Sequence, residues 1–283
     1  MCKDCGCTIA GSYTHSHEHS HDGHTHSHEH HHHHDHDHSH SHAHNHSHDG
    51  AKFKTIDENL KSNPLLNDAK TISVITKILD KNDQEAAHNR SHFDNKKVLG
   101  INLMSSPGSG KTALLESLAK VADFKFAVVE GDLETSKDAD RLKKAGVQAV
   151  QIQTGSACHL DAFMVHKALH DISLDDIDVC FVENVGNLVC PASYDVGTHL
   201  NIVLVSIPEG EDKIAKYPVM FRSADLVLFT KTDLLPYFDF NLQKEKEVAR
   251  KLKPNVDILE VSTKDEATIK AVVDWINFKR KLR

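Results

Sequence analysis

One stretch of this 283-residue chain limits its possible folds more than any other. The apolar run VLGINLM, at 98–104, leads directly into Ser105-Ser-Pro-Gly-Ser-Gly-Lys-Thr112, and the helical pattern ALLESLAK follows. A loop of small residues between a buried strand and a helix lets backbone N–H groups surround a phosphate, whose charge the helix N-terminus favours. The stretch therefore predicts a phosphate-binding P-loop within an α/β fold.

The alternation of apolar runs and helical patterns continues through the rest of the chain. Six further apolar runs lie at 126–131, 149–153, 178–183, 201–207, 225–230 and 257–262. Helical patterns lie at Leu114–Val121, Asp138–Lys144, Asp161–His170, Asn241–Lys251 and Ala267–Phe278. This alternation predicts a doubly wound, mainly parallel sheet covered by helices on both faces. Ligands of such folds bind at the carboxyl ends of the strands.

The first fifty residues have a composition of their own. Cys2, Cys5 and Cys7 precede a segment, His15 to His48, that holds 19 of the chain's 25 histidines among serine, aspartate and glycine spacers. Few apolar residues are available to form a core, so residues 1–50 are predicted to be a disordered tail. Imidazole and thiolate are strong ligands of late transition metals, which makes metal binding the predicted role.

Two further regions follow this tail. Residues 51–97 are charged, are broken at Pro64 and carry isoleucines and leucines at helical spacing, which predicts an amphipathic helical preface. Its apolar positions are Ile72, Ile75, Ile78 and Leu79. Residues 98–283 are predicted to form the nucleotide-binding domain.

The composition excludes several classes of protein. A formal net charge of −8 leaves no basic stripe to neutralise phosphates, so nucleic acid is not an expected partner. No apolar run approaches the roughly 18 residues of a membrane span, and the N-terminus lacks the apolar core of a signal peptide. The six cysteines suit thiolates in a reducing compartment. The chain is therefore expected to be cytoplasmic.

The residues of the P-loop have distinct predicted roles. Lys111 would reach the β- and γ-phosphate oxygens, and the Thr112 hydroxyl would bind Mg²⁺. Ser105 stands where the general pattern has its first glycine, so that position must accept a Cβ. The backbone that wraps the β-phosphate belongs to Gly108, Ser109 and Gly110.

A second motif predicts which nucleotide binds. The apolar run at 225–230 ends in Thr230-Lys-Thr-Asp233, which is similar to the NKxD signature of G proteins. In that signature the carboxylate accepts from the N1–H and 2-amino donors of guanine, and the lysine stem covers the ring. Lys231 and Asp233 fit it, whereas Thr230 replaces the usual Asn. Val261-Ser-Thr263, also at a strand end, is a weaker candidate for backing the base. GTP is the predicted substrate.

Two acidic strand ends could serve Mg²⁺ or the attacking water. Asp132 follows the second strand and is predicted to lie next to the metal ion, and Glu183 follows the fourth. Gly186, three residues later, stands where a glycine that senses the γ-phosphate would lie. Either acid could instead be a helix cap or a turn residue.

A second metal site is predicted beside the nucleotide. Cys158 and His159 follow one strand, and Cys190 follows another, so both loops lie at the same edge of the sheet. These ligands suit Zn²⁺ or Ni²⁺ but fill only part of a tetrahedral shell. Water or the same loop of a second subunit could complete it. Two buried cysteines near a loop histidine are the structural alternative.

Four other potential ligands are given no metal role. Cys180 lies mid-strand and is expected in the core. His166 and His170 are expected on the surface, and His199 remains ambiguous.

The whole chain resembles the HypB family of GTPases, which assist nickel insertion into [NiFe] hydrogenase. The resemblance is carried by the CxxCGC motif of the N-terminal tail with its histidine tract. It is carried further by SSPGSGKT, EGDLETSKDADR, TGSACHLDA, ENVGNLVCPASYDVG and PEGEDKIAKYPVMFRSADLVLFTKTDLL. It implies a SIMIBI-class G domain, a GTP-dependent homodimer, and nickel delivery with a HypA-type metallochaperone to the hydrogenase large-subunit precursor. It also assigns the tail cysteines Cys2, Cys5 and Cys7 to a tight nickel motif. Cys158, His159 and Cys190 are assigned to a metal site in the G domain.

The chain departs from one pattern of this class. Some SIMIBI proteins carry an extra lysine beside the first position of the loop, where this chain has Ser106. Charge supplied across a dimer would then come from elsewhere, and Lys213 is a candidate.

Two other functions remain open. A urease-type nickel GTPase has a similar G domain and also a cysteine–histidine site. The CxxCGC motif of the N-terminal tail favours a role in hydrogenase maturation instead. A nickel storage protein would use the histidine tract alone and would not need the intact P-loop and TKTD motifs.

Overall fold

The computed structural model describes residues 19–21, 24–26, 69–132, 137–155 and 157–283. Within the predicted tail, β1 (His19–His21) and β2 (His24–His26) pair antiparallel, with His19 opposite His26. Cys2, Cys5 and Cys7 lie outside the described residues, so the metal-binding role of the tail stays a prediction.

The remaining elements alternate in the predicted manner. The strands are β3 (Leu99–Ser105), β4 (Phe126–Asp132), β5 (Gln148–Gln153), β6 (Val179–Glu183), β7 (Leu200–Ser206), β8 (Leu226–Thr230) and β9 (Asp257–Val261). The helices are α1 (Ala69–Lys96), α2 (Lys111–Val121), α3 (Lys137–Lys144), α4 (Ala162–His170), α5 (Lys213–Lys216), α6 (Pro218–Ser223), α7 (Leu242–Leu252) and α8 (Glu266–Lys281). None of these described helices is long and apolar enough to cross a membrane.

Strands β3 to β9 form one sheet in the order β5-β4-β6-β3-β7-β8-β9. Every neighbouring pair is parallel, which sharpens the expected mainly parallel sheet to an all-parallel one. The P-loop strand β3 lies at the centre, where the chain passes from one half of the sheet to the other. This is the doubly wound α/β arrangement that the P-loop predicts, and its binding crevice lies beyond the carboxyl ends of the central strands.

Apolar side chains bury both faces of the sheet. On one face, alternate residues of β3 such as Ile101 and Leu103 pack with Leu115 and Leu118 of α2 and with α8. On the other face, two clusters pack the sheet against α1 and α4 and against α6 and α7. Burial on both faces is why the strands read as continuous apolar runs rather than alternating ones.

Helix α1 docks on the domain through a face that its apolar pattern does not predict. The expected apolar position Ile78 is 40% exposed, whereas the buried positions form the stripe Asn82, Ala86, Asn89 and Phe93. The two asparagines fasten the helix to backbone groups: Asn82 accepts from the Ala162 N–H at 2.9 Å, and Asn89 donates to the Ala162 carbonyl at 2.8 Å. Hydrogen bonds offset the cost of burying the amide groups, so a partly polar stripe can serve as a docking face here.

Candidate functional site

The P-loop has the backbone conformation that phosphate binding requires. Gly108 and Gly110 adopt φ values of 74° and 98°, in a region that side chains with a Cβ rarely occupy. The Lys111 side chain is buried at the start of α2, and its ammonium donates to the Ser105 hydroxyl at 3.0 Å. The serine at the first position of the loop therefore holds the lysine in place.

Lys111 is buried and surrounded by carboxyl groups. Burial lowers its pKa, and the surrounding carboxyl groups oppose that effect; they belong to Glu183, Asp138, Glu209 and Glu130. An ammonium held away from water attracts any group that brings compensating negative charge. Phosphate oxygens beside the loop would supply that charge.

Two buried carboxyl groups face this lysine. Glu183 accepts a hydrogen bond from the Thr112 hydroxyl at 3.0 Å, and burial raises its pKa to about 7. Burial and the neighbouring Glu183 raise the pKa of Glu130 to about 8. Among the described residues, neither the Oε2 of Glu183 nor that of Glu130 has a hydrogen-bond partner. Buried carboxyl oxygens left without a donor suit a cation, and the donor set here is the hard oxygen type that Mg²⁺ prefers.

The predicted Asp132 and Gly186 line the same cavity, which has a volume of about 210 Å³ and also contains Lys111 and Glu183. A Cβ on Gly186 would meet the Cα of Pro107 at 2.9 Å, so the loop after β6 can approach the P-loop this closely only with glycine there. The structure thus brings the predicted phosphate residues and the predicted switch loop together.

The TKTD segment contacts the P-loop directly. The Thr230 hydroxyl donates to the Ser109 carbonyl at 2.7 Å, and the Lys231 ammonium donates to the Gly108 carbonyl at 2.7 Å. Thr230 therefore replaces the usual asparagine with a side chain that still joins the two loops. The lysine stem lies beside the phosphate loop, where it could cover a base.

Asp233 is held in place by the loop after β9. The Ser262 hydroxyl donates to its Oδ1 at 2.8 Å, and the Lys264 ammonium lies 2.8 Å from its Oδ2. Lys264 first and Ser262 second hold the pKa of Asp233 below its usual value, so the carboxyl stays ionised as an acceptor. The weaker candidate segment around Ser262 thus lies against this carboxylate.

The three predicted metal ligands of the domain come together. The Sγ of Cys158 lies 3.0 Å from the Sγ of Cys190 and 3.7 Å from the Nδ1 of His159. All three ligand atoms lie within 4.8 Å of one another, and we call Cys158, His159 and Cys190 the metal triad. Neither cysteine is part of a disulfide. The arrangement matches a partly filled coordination shell of soft and borderline ligands.

His159 is prepared for coordination by its surroundings. Its ring stacks on Tyr194 with centroids 3.9 Å apart, and burial lowers its pKa. A neutral imidazole can give a metal its lone pair without first losing a proton. Cys180, by contrast, is fully buried in β6, as expected for a core residue.

One loop connects the nucleotide cavity with the metal triad. Residues 183–190, which we call the linking loop, begin at the Thr112 partner Glu183 and end at Cys190. Asn184 accepts from the Leu160 N–H at 3.0 Å, and Asn187 donates to the Cys158 carbonyl at 3.1 Å. A movement of this loop would therefore displace residues at both the nucleotide cavity and the metal triad.

Several residues of the site were not singled out from the sequence. They are Glu130 and Asp138 around Lys111, Lys264 beside Asp233, and Asn184 and Asn187 in the linking loop. Glu130 lies two residues before Asp132, and Lys264 lies two residues after Ser262, so proximity in sequence to the predicted residues was the available signal. The trans-acting candidate Lys213 lies at the start of α5, 3.9 Å from Asp212.

The sequence matches a family model described as CobW/HypB/UreG, nucleotide-binding domain, over residues 99–260. It is 52% identical over 228 residues to the Hydrogenase/urease maturation factor HypB of Helicobacter hepaticus, covering 79% of this chain and 94% of the relative. It is 43% identical over 219 residues to the Hydrogenase maturation factor HypB of Escherichia coli K12, covering 77% of this chain and 76% of the relative.

A solved structure is also similar to this chain. The crystal structure of HypB from Helicobacter pylori in complex with nickel aligns with a TM-score of 0.69 and 47% identity. The alignment covers 71% of this chain and 95% of that protein.

Proposed function

Because this chain belongs to the CobW/HypB/UreG family and is a GTPase of its HypB group, we propose that it is a nickel metallochaperone. It would couple GTP hydrolysis to nickel insertion into [NiFe] hydrogenase. The observation that carries this proposal is the linking loop. Its first residue, Glu183, contacts Thr112 of the P-loop, and its last residue, Cys190, is a member of the metal triad.

The P-loop residues would bind the phosphates of GTP. The backbone of Gly108, Ser109 and Gly110 would surround the β-phosphate, and Lys111 would leave the Ser105 hydroxyl to contact the β- and γ-oxygens. Its burial strengthens this attraction, since little water competes for the ammonium. Developing charge on the transferred phosphoryl group would be compensated at the same place.

The acidic residues of the cavity would hold Mg²⁺ with the Thr112 hydroxyl. Mg²⁺ held by these residues would neutralise negative charge on the phosphates. Glu183 already contacts Thr112, and Asp132 lines the same cavity, so either could bind the ion directly or through water. A cation beside Glu183 and Glu130 would lower the pKa of both carboxyls. Gly186 would let the linking loop sense the γ-phosphate, since it already touches Pro107.

Guanine selectivity would rest on Asp233. Its ionised carboxylate can accept from both donors of the guanine edge, whereas adenine leaves one acceptor unpaired. Ser262 and Lys264 would orient the carboxylate, and Lys231 would cover the ring.

Nickel is the cargo of the metal triad in this proposal. A relative 47% identical to this chain was crystallised in complex with nickel, and the triad offers two thiols and an imidazole that is neutral at pH 7. Zn²⁺ could occupy the same ligands, because affinity orders alone do not separate the two ions. Water or the partner subunit of a GTP-dependent homodimer would complete the shell.

The predicted tail and partners complete the proposed cycle. Cys2, Cys5 and Cys7 would form a defined nickel site, and the histidines at 15–48 would raise the local nickel concentration. A HypA-type metallochaperone and the hydrogenase large-subunit precursor would exchange nickel with the protein in the cytoplasm.

Urease maturation is a second candidate function. The relative from Helicobacter hepaticus, at 52% identity, is named a hydrogenase/urease maturation factor, so one protein of this group has both names. The same nickel chemistry would serve either enzyme.

Hydrogenase activity in cells that carry Lys111→Ala tests the proposal. We expect activity to be lost in medium without added nickel, because the variant cannot bind the phosphates productively. Lys251→Ala, which changes an exposed lysine of α7, should retain full activity as the matched control. A storage protein would keep its role in the Lys111→Ala strain, and hydrogenase activity unchanged from wild type would contradict the proposal.

A further inference from the structure

Two histidines on α4 are arranged as a pair of ligands outside the metal triad. His166 and His170 are four residues apart on the helix, and their Nε2 atoms lie 3.1 Å from each other. Their rings meet edge to face with centroids 4.7 Å apart. His170 is exposed and His166 is partly exposed, so an ion from solvent can reach both Nε2 atoms. We call these two residues the histidine pair.

The separation of the two nitrogens suits one metal ion. Bonds of about 2.0–2.1 Å from a metal to imidazole nitrogen place two ligands roughly 3.3 Å apart at a tetrahedral angle and roughly 2.9 Å apart at a right angle. The observed 3.1 Å lies between these values. In the absence of metal, an N–H···N hydrogen bond between the two Nε2 atoms accounts for the same 3.1 Å separation. A metal ion bound by both nitrogens would replace the proton of that hydrogen bond.

The tautomer of His166 is set by helix α1. Its Nδ1 lies 3.0 Å from the Oε1 of Glu85 and 3.0 Å from the Oδ1 of Asn89. Both of these atoms are acceptors, since the Asn89 amide nitrogen already donates to the Ala162 carbonyl. Nδ1 therefore carries the hydrogen, and Nε2 presents its lone pair toward His170. A carboxylate that accepts from the far nitrogen of a ligating histidine is the usual outer shell of protein metal sites.

A third imidazole lies next to the pair. The ring of His92, on α1, meets the His170 ring at a right angle with centroids 6.5 Å apart. A change of side-chain rotamer could bring the His92 ring to an ion held by the pair. The nearby Lys96 ammonium is paired with Asp175 at 2.7 Å.

We propose that His166 and His170 form a second metal site of this domain, which takes a borderline divalent transition metal such as Ni²⁺, with Glu85 as the residue that positions His166. Imidazole nitrogens without thiolate favour such ions over hard cations like Mg²⁺. Helix α4 begins three residues after His159, so the histidine pair lies on the helix that follows the metal triad in the chain. This inference stands on the imidazole geometry and does not require the proposed function.

The test is protection of individual histidines from diethyl pyrocarbonate in the full-length protein, read by mass spectrometry. Nickel is added in excess over all histidines, and the double variant Cys158→Ser/Cys190→Ser removes the metal triad. We expect nickel to slow modification of His170 about tenfold or more, as bidentate coordination would. Mg²⁺ should give no protection. Protection of His170 in the double variant would show that the pair acts independently of the triad.

Single variants separate coordination from burial. His166→Gln should abolish the protection of His170, whereas Lys167→Gln, at an exposed position of α4 between the two histidines, should preserve it. Glu85→Gln should raise the nickel concentration needed for half-protection about 10- to 100-fold, as loss of such outer-shell carboxylates does. An unchanged modification rate of His170 at saturating nickel would overturn the proposal. So would equal protection by Mg²⁺ or full protection in the His166→Gln variant.

Discussion

Asn187 donates a hydrogen bond from its side-chain amide to the carbonyl oxygen of Cys158, across 3.1 Å. Three residues earlier in the same loop, Asn184 accepts from the backbone N–H of Leu160 at 3.0 Å. The residue before that, Glu183, accepts from the P-loop hydroxyl of Thr112. The metal triad and the phosphate site are therefore joined by short contacts within one loop, which gives their coupling a physical route.

Asn187→Ala should weaken the coupling without removing either site. The substitution deletes the amide that ties the linking loop to Cys158 but leaves all three ligands of the triad in place. We expect nickel to bind, while the change in its affinity on addition of a GTP analogue shrinks from the usual range of about 5- to 150-fold toward no change. Nickel titration with and without the analogue measures this. Asn277→Ala, in α8, is the matched control, and an undiminished nucleotide effect in Asn187→Ala would argue against the loop as the route.

Asp233→Asn should change which nucleotide binds. An amide cannot accept from both donors of the guanine edge, and a lost charged hydrogen bond costs about 1.5–3 kcal/mol, so GTP affinity should fall about 10- to 150-fold. Xanthosine triphosphate presents a carbonyl in place of the 2-amino group, so it should bind more tightly to the Asp233→Asn variant than to the wild-type protein. Competition titrations with both nucleotides measure the change, with Asp239→Asn as an exposed control. Equal GTP affinity in the variant and wild type would disprove the role of Asp233.

Gly197→Ala should loosen the docking of α1. Gly197 has φ 86°, and a Cβ there would collide with the Ala86 carbonyl and with the Cβ of Asn89 at 2.5 Å. Gly146 has a similar φ of 82° but open space around it, so Gly146→Ala carries only the backbone cost of about 1–2 kcal/mol. We expect urea unfolding to show a clearly larger loss of stability for Gly197→Ala than for Gly146→Ala. Equal losses would mean that the close contact with α1 contributes nothing.

His199 should make the protein less stable as the medium acidifies. Burial, with a smaller contribution from Arg283, lowers its pKa to about 4, and its Nδ1 accepts from the Gly100 N–H at 2.9 Å. The unfolded chain binds a proton near pH 6.5, which the folded chain does not, so this stabilisation is present above pH 6.5 and is lost as pH falls toward 4. Between pH 7 and pH 5 the loss should be about 2 kcal/mol.

The His199→Gln variant isolates this contribution. Its free energy of unfolding in urea should fall less than that of wild type between the same two pH values, because the titrating group is absent. His88→Gln, at an exposed position, should follow the wild-type dependence. Parallel curves for wild type and His199→Gln would show that His199 keeps an ordinary pKa in the folded protein.

The fold could be predicted from sequence because its signals are local. All seven strands of the large sheet lie within one residue of the predicted runs at each end, since burial on both faces makes each strand continuously apolar. The P-loop and the TKTD segment could be located because glycine conformation and strand ends fix where their side chains go. The short helices α5 and α6 were not predicted, because their few residues carry no clear periodicity.

What the sequence could not reveal depends on tertiary neighbours. Asn82 and Asn89 look like solvent-facing residues until the backbone groups of Ala162 are placed beside them. The raised pKa of Glu130 arises from burial and from Glu183, which is 53 positions away in the chain. His166 and His170 read as surface residues, and only Glu85 and Asn89 on another helix show that one of them is oriented. Lys264 gains a role only because the loops after β8 and β9 lie side by side.

The most direct test of the account is nickel affinity at the metal triad as a function of bound nucleotide. The difference in nickel-thiolate absorption between the full-length protein and its Cys158→Ser/Cys190→Ser variant isolates the triad from the tail. It is titrated without nucleotide, with GDP and with a non-hydrolysable GTP analogue. The account predicts that the affinity differs between the GDP and GTP-analogue states and that nickel shifts nucleotide affinity by the same factor. Identical nickel titrations in all three states would contradict it.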